Sequence, residues 1–163
     1  MLQSLRRTRR GGLSSRDRPA QSSRASLGVY FEAQLLTPTM EQLLLHLVGD
    51  YVTQTDWMAR SKVSTTFAAL CHAVVYSLPF LLLSPSLAAI AVIALSHFLI
   101  DRYRLARYVA FGKNKLTNWQ LNWADCRATG FPADVPAGQA FWLMILVDNT
   151  MHLSINYAAL RWL

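Results

Sequence analysis

Four apolar runs follow one another along the second part of the chain, at 41–59, 65–83, 86–109 and 138–160. None of them alternates with a period of two, so helices are the predicted elements. Each run has about the length that a helix needs to cross a hydrocarbon core of about 30 Å. Because only helices and closed barrels satisfy their backbone in lipid, the pattern predicts an all-α membrane bundle of four helices.

Turn residues stand where such a bundle needs its connections. The breakers between the runs are Ser84, Pro85 and Ser86, and then Gly130, Pro132, Pro136 and Gly138. Pro79 lies inside the second run and predicts a kink there, because it lacks a backbone donor. The first run is the most polar and carries Glu41, Asp50, Gln54 and Asp56. We therefore expect it either to span the membrane or to lie partly buried against the other three.

The composition agrees with a membrane environment. Hydrophobic residues make up 53% of the 163 residues, charged residues make up 15%, and the mean hydropathy is +0.21. A soluble domain of this size usually carries more charge. The chain is long enough for one domain, which we assign to residues 40–163.

Residues 1–39 differ from the rest in composition. They contain seven of the sixteen basic residues, all arginines, with many serines and no long apolar run. Such a composition predicts a disordered arm. Three interpretations are open: a targeting or lipid-binding arm, a nucleic-acid-binding arm, or translated sequence upstream of a true start at Met40, which we favour.

Charge along the chain predicts an orientation. Arg60 and Lys62 follow the first run, and a basic connector containing Arg102, Arg104, Arg107, Lys113, Lys115 and Arg127 precedes the fourth. The positive-inside rule places both basic segments in the cytoplasm and both termini outside. We expect the connector to contact anionic lipid headgroups rather than nucleic acid. Cys71 lies within a span and Cys126 in this connector, so no disulfide is expected between them.

All four histidines lie inside the apolar runs. Three of them are four residues from an aspartate, in the pairs His46/Asp50, His97/Asp101 and Asp148/His152. This spacing puts both side chains of a pair on one helix face. A charged residue within a membrane costs about 2.5–3.5 kcal/mol on insertion scales, so the pattern predicts a shared polar site between helices.

Imidazole and carboxylate together are typical ligands of zinc, iron or manganese. The predicted metal ligands are His46, Asp50, His72, His97, Asp101, Asp148 and His152. Asp50 and Asp148 are also the candidate catalytic carboxylates, and Gln54 lies on the His46/Asp50 face. Two simpler explanations stay open: Asp101 could pair with Arg104, and His46 could lie at the headgroup level.

Four motifs together resemble a known family. They are HLVGDYVTQTDWMARSK at 46–62, His72 within LCHAVVYSLPFLL, SHFLIDRYRLARY at 96–108 and VDNTMHLSINYAAL at 147–160. In this order they resemble the small integral membrane proteins of bacteria and phages grouped as domain of unknown function 3307. The resemblance covers about residues 40–163. It implies a multi-pass protein, for which we expect a bacterial inner membrane, and it brings no established activity.

Two functions are compatible with these residues. The first is a metal-dependent membrane hydrolase that acts on a lipid-like or membrane-embedded substrate, with the metal polarising a water molecule. The second is a non-enzymatic membrane protein, such as a transport or phage-encoded accessory component. In that case the same residues form a structural or proton-carrying network.

Overall fold

A computed structural model describes residues 40–163 of the chain. The predictions for residues 1–39 therefore lie outside the described part. Residues 40–163 contain helices and no strands, which confirms the predicted all-α class.

Seven helices follow in chain order within the described residues. Helix α1 covers 40–47 and continues as a π-helical turn, Val48–Val52; α2 is Asp56–Ser61; α3 is Thr66–Ser77, continuing as a 3₁₀ turn, Leu78–Leu83; α4 is Leu87–Tyr103; α5 is Leu105–Thr117; α6 is Trp123–Cys126; and α7 is Ala137–Trp162. Helix α4 packs between α3 and α7, α5 packs on α7, and the π turn and α2 pack on α3.

The first apolar run does not form one continuous helix. The π turn ends at Val52, and Thr55 adopts an extended conformation in which its hydroxyl accepts a hydrogen bond from the Met58 N–H at 3.3 Å. Threonine is a favoured N-cap because its side chain replaces the missing helical acceptor. The cap starts a new helix, α2, and this divides the predicted first span in two.

The third run also ends earlier than the apolar pattern predicts. Helix α4 stops at Tyr103 because Arg104 adopts the left-handed conformation, with φ 52° and ψ 50°. Helix α5 then begins at Leu105, so part of the basic connector is helical. Non-glycine residues rarely take this conformation, since the Cβ atom crowds the following carbonyl group.

The second run is the most membrane-like helix of the described residues. Its α-helical part changes to a 3₁₀ turn at Leu78, just before Pro79, which cannot donate the next helical hydrogen bond. Taken together, Thr66–Leu83 has a mean hydropathy of 1.8 and is the one described helix long and apolar enough to cross a membrane. Helix α4 has 17 residues, and the 26 residues of α7 include several polar side chains.

Two apolar clusters enclose a polar layer. The first consists of Tyr76, Phe80, Ala89, Ile93 and Ala159, and the second of Ala110, Phe131 and Ala140. Along α7, Asp148 and His152 lie between the residues that belong to the two clusters. The core is thus interrupted by polar side chains in its middle, and this layer forms the candidate site.

Candidate metal centre

Four helices each contribute one histidine to the polar layer. His46 comes from α1, His72 from α3, His97 from α4 and His152 from α7, and all four are at most 1% exposed. Their carboxylate companions are Asp50 on the π turn, Asp101 on α4 and Asp148 on α7. As predicted from the spacing of four residues, the histidine and the aspartate of each pair lie on the same inward-facing side of their helix.

Four of these side chains form a compact group, called the cage below: Asp50, His72, His97 and Asp101. The Nε2 atom of His72 lies 3.2 Å from an oxygen of Asp50, 3.2 Å from Asp101 Oδ2 and 2.9 Å from His97 Nε2. His97 Nε2 is 3.2 Å from Asp101 Oδ2 and 3.9 Å from Asp50 Oδ1. One atom from each residue can thus face a common point.

A second group shares Asp50 with the cage and adds Asp148 and His152. His152 Nε2 lies 3.3 Å from Asp101 Oδ1 and 3.5 Å from Asp148 Oδ2. The Asp148 side chain is 27% exposed, whereas those of Asp50 and Asp101 are 7% and 4% exposed. Asp148 is therefore the carboxylate of the layer that solvent reaches most easily.

Lys62, which follows α2, places its ammonium group against one face of the cage. The Nζ atom lies 2.8 Å from Asp101 Oδ2, 3.8 Å from Asp50 Oδ1 and 3.3 Å from His72 Nε2. Burial by itself would lower the pKa of Lys62, but the charges of Asp101 and Asp50 outweigh it and raise the pKa above its usual value. Lys62 is thus a protonated cation at the site.

The cage fits a divalent ion by geometry and by donor chemistry. Metal–ligand bonds of about 2.0–2.1 Å in a tetrahedron correspond to ligand–ligand distances of about 3.3–3.4 Å. The cage distances of 2.9, 3.2, 3.2, 3.2 and 3.9 Å scatter around that value. Asp101 Oδ2 is buried, and its neighbours within residues 40–163 are the Lys62 ammonium at 2.8 Å and the Nε2 atoms of His72 and His97 at 3.2 Å. A metal ion bound to that oxygen would therefore compete with Lys62.

The remaining ring nitrogens separate the histidines into two kinds. The Nδ1 atoms of His72 and His97 are buried and make no hydrogen bond within the described residues. Both nitrogens of His46 are engaged instead, Nδ1 with the Tyr76 hydroxyl at 2.8 Å and Nε2 with Asn149 Oδ1 at 3.1 Å. His46 belongs to neither metal-compatible group.

His46 is part of a neutral hydrogen-bond chain beside the cage. Asn156 Nδ2 donates to the Tyr76 hydroxyl at 2.6 Å, which leaves that hydroxyl free to donate to His46 Nδ1. His46 Nε2–H then donates to Asn149 Oδ1, which the Tyr51 hydroxyl also contacts at 3.1 Å. With all its polar atoms paired in this way, His46 can be buried without a metal.

Several sequence predictions can now be placed. The two metal-compatible groups contain Asp50, His72, His97, Asp101, Asp148 and His152, whereas His46 lies in the polar layer outside both groups. The possible Asp101–Arg104 pair does not form, because Asp101 pairs with Lys62 and no carboxylate of residues 40–163 lies within 4.0 Å of Arg104. Gln54 makes no side-chain hydrogen bond through its buried Oε1 within the same residues. Cys71 and Cys126 are both free, as expected.

The motifs that carry this layer also match a described family. The family described as "Protein of unknown function (DUF3307)" matches residues 39–159. The chain belongs to the DUF3307 family. No curated protein and no solved structure matches it. Within this family member, all residues of the polar layer lie inside the matched range.

Proposed function

We propose that this DUF3307 protein is a multi-pass membrane protein. Its helices bury imidazoles and carboxylates and expose large aliphatic side chains: Leu82, Leu87 and Leu95 are 80%, 86% and 60% exposed. Similar exposed residues occur along α3, α4 and α7. Soluble monomers rarely expose apolar surface on this scale, whereas lipid favours it. The apolar helix Thr66–Leu83 supports the same proposal.

We infer further that the cage binds one divalent transition metal, with zinc, iron and manganese as the candidates. The observation that carries this inference is the close approach of two imidazole nitrogens and two carboxylate oxygens in one buried site. Imidazole and carboxylate ligands suit these metals. A bound ion of this kind lowers the pKa of a coordinated water molecule and supplies a nucleophile near neutral pH.

The residues around the cage are arranged for hydrolysis. Asp148 is the most exposed carboxylate of the layer and lies 3.5 Å from His152, so it is the proposed general base that takes a proton from the attacking water. His152 orients Asp148 and pairs with Asp101. Asp50 is buried and shared by the two groups, which makes it a ligand rather than a base. The proposed function is a metal-dependent membrane hydrolase of a lipid-like substrate.

Metal retention tests the cage, with a matched pair of histidine variants. His97→Ala and His46→Ala each remove a fully buried imidazole, but only His97 belongs to the cage. The full chain is purified in detergent, incubated with zinc, manganese or ferrous iron, desalted and analysed by mass spectrometry of the metal. We expect about one ion per chain in the parent and in His46→Ala, and loss of the ion in His97→Ala.

Equal retention by the two variants, or no retention by the parent, would contradict the metal proposal. The hydrolase part has its own test. Asp148→Asn should retain the metal and lose turnover of an ester- or phosphodiester-containing lipid. A variant that turns over such a lipid at the parent rate would remove Asp148 from the mechanism.

Lys62 favours the second candidate, a non-enzymatic polar network. Its ammonium group already places a positive charge against Asp101, Asp50 and His72. The unpaired Nδ1 atoms of His72 and His97 also differ from usual metal sites, in which that nitrogen donates to a carboxylate or carbonyl. Lys62→Met separates the candidates. It should strengthen metal binding if Lys62 competes with an ion, and it should only lower stability if Lys62 is the site's own cation.

A further inference from the structure

A pocket of about 140 Å³ opens beside the cage, between the segment that follows α2, the α4–α5 junction and α7. Two cationic residues, Lys62 and Arg104, line it together with Asp101 and Asp148. Its other walls include the apolar side chains of Val63, Met144 and Ile145. The pocket thus combines an opening to the candidate metal centre with a charged part and an apolar part. It will be called the side pocket.

Arg104 brings an uncommon backbone conformation and a guanidinium group to the wall of the side pocket. Its backbone is left-handed, a conformation that glycine or asparagine adopts at lower cost. Its guanidinium group donates from Nη2 to the Ala128 carbonyl at 2.8 Å and to Met144 Sδ at 3.9 Å, and has no carboxylate within 4.0 Å in residues 40–163. A strained position that keeps an arginine with unused donors points to a ligand.

The chemistry of the side pocket selects an anion with several oxygens. A planar guanidinium group binds phosphate or carboxylate through two parallel hydrogen bonds, and Lys62 adds a second positive charge. Asp101 and Asp148 also line the pocket and would repel an anion. A divalent ion in the cage would offset the charges of Asp101 and Asp50, which leaves Lys62 and Arg104 against Asp148 alone. A phosphate group has enough oxygens to contact Arg104, Lys62 and an ion in the cage together, whereas a carboxylate has only two. The volume is many times that needed for one water molecule.

The apolar wall adds the second half of the ligand. Val63, Met144 and Ile145 border the pocket, and the neighbouring Leu146 side chain is 60% exposed on the outside of α7. A hydrocarbon chain attached to the phosphate could leave the pocket along this surface. We propose that the side pocket binds the phosphate group of an amphiphile, with Arg104 as the specificity-determining residue. This inference rests on the proposed metal centre and names the substrate class for it.

Arg104→Gly is the informative variant, because it removes the guanidinium group and also relieves the left-handed strain. Arg161→Gly is its control, since Arg161 is an exposed arginine in the last turn of α7 and lies outside the pocket. The full chain, loaded with metal in detergent, is titrated with dioctanoyl phosphatidic acid, dioctanoylglycerol, octanoate and inorganic phosphate. Binding is followed by isothermal calorimetry, and metal content and melting temperature are measured on the same samples.

We expect phosphatidic acid to bind at least tenfold more tightly than dioctanoylglycerol, octanoate or inorganic phosphate. Arg104→Gly should weaken phosphatidic acid at least tenfold, keep its metal and melt no lower than the parent, while Arg161→Gly stays within twofold. Equal effects of the two variants would overturn the inference. Inorganic phosphate binding as tightly as phosphatidic acid would overturn the amphiphile, and octanoate doing so would overturn the phosphate. A parent protein without metal is a failure of the proposed metal centre and is visible separately in the metal analysis.

Discussion

Replacing Asp101 by asparagine should cost far more stability than the same replacement at a surface aspartate. Asp101 is 4% exposed in its side chain, pairs with Lys62 at 2.8 Å and lies 3.2–3.3 Å from three imidazole nitrogens. Asparagine would leave the Lys62 ammonium, whose side chain is 19% exposed, with Asp50 at 3.8 Å as its nearest counter-charge. Removing one partner of a fully buried ion pair costs about 3–5 kcal/mol. Because Lys62 is partly exposed and keeps Asp50, we expect a loss of about 2–3 kcal/mol in metal-free protein.

Asp56→Asn is the matched control. Asp56 also pairs with a cation at 2.8 Å, that of Arg60, but the two side chains are 76% and 79% exposed. Such an i to i+4 surface pair contributes about 0.3–0.5 kcal/mol. Unfolding free energies of both variants can be measured by titrating detergent-solubilised protein with sodium dodecyl sulfate and following helicity by circular dichroism.

A double variant tests the cause of the loss. Adding Lys62→Met to Asp101→Asn removes the stranded charge, so it should recover part of the stability that Asp101→Asn alone loses. Equal losses for Asp101→Asn and Asp56→Asn would refute the buried pair. A further loss on adding Lys62→Met would show that Lys62 stabilises the fold by other contacts.

Three further predictions follow from other contacts. Gly49→Ala should destabilise the protein by about 1–3 kcal/mol, because its Cβ atom would lie 2.8 Å from both the ring and the carbonyl oxygen of Tyr76. Gly112→Ala is the control and should stabilise α5, because its Cβ atom would have nothing within 4 Å. Similar changes in the unfolding free energy of both variants would contradict the close contact between Gly49 and Tyr76. Because the pKa of Lys62 is raised in the folded protein, its charge stabilises the metal-free fold fully below the unfolded-state pKa. This contribution is lost as the pH rises through the folded-state pKa. Lys62→Met should therefore remove this part of the stability loss at alkaline pH, and an unchanged pH profile of the unfolding free energy would contradict the role of Lys62. Single-cysteine labelling in a background without Cys71 and Cys126 should find position 86 reachable by an impermeant outside reagent and position 113 shielded, and the reverse pattern would overturn the predicted orientation.

The sequence predicted the helical class and the members of the polar layer, because both depend on local spacing. An interval of four residues puts His97 and Asp101 on one face whatever the rest of the fold does. The same rule, applied further, would also have found Tyr76, four residues after His72, and Asn156, four after His152. The pattern of histidine and aspartate does not include them, because neither side chain carries an imidazole or a carboxylate.

Other features depend on contacts between distant parts of the chain. In the sequence, Lys62 indicates only the orientation of the chain, because its place at the cage depends on Asp101, 39 residues away. The left-handed conformation of Arg104 has no local signal either, since arginine has no preference for it. The break within the first run, by contrast, has a local signal in the sequence. Thr55 followed by Asp56 is a recognisable helix start, and it predicts the break that the apolar pattern conceals.

X-ray absorption spectroscopy of the metal-loaded protein tests the central claim most directly, because it reports the atoms bound to the ion. The cage predicts a first shell of nitrogen and oxygen at about 2.0–2.2 Å, with the outer-shell scattering of two imidazole rings from His72 and His97. His97→Ala should lose that imidazole signal or the metal itself, whereas His46→Ala should leave the spectrum unchanged. A shell of oxygen alone, a sulfur ligand, or an imidazole signal lost in His46→Ala would contradict the assignment of the cage.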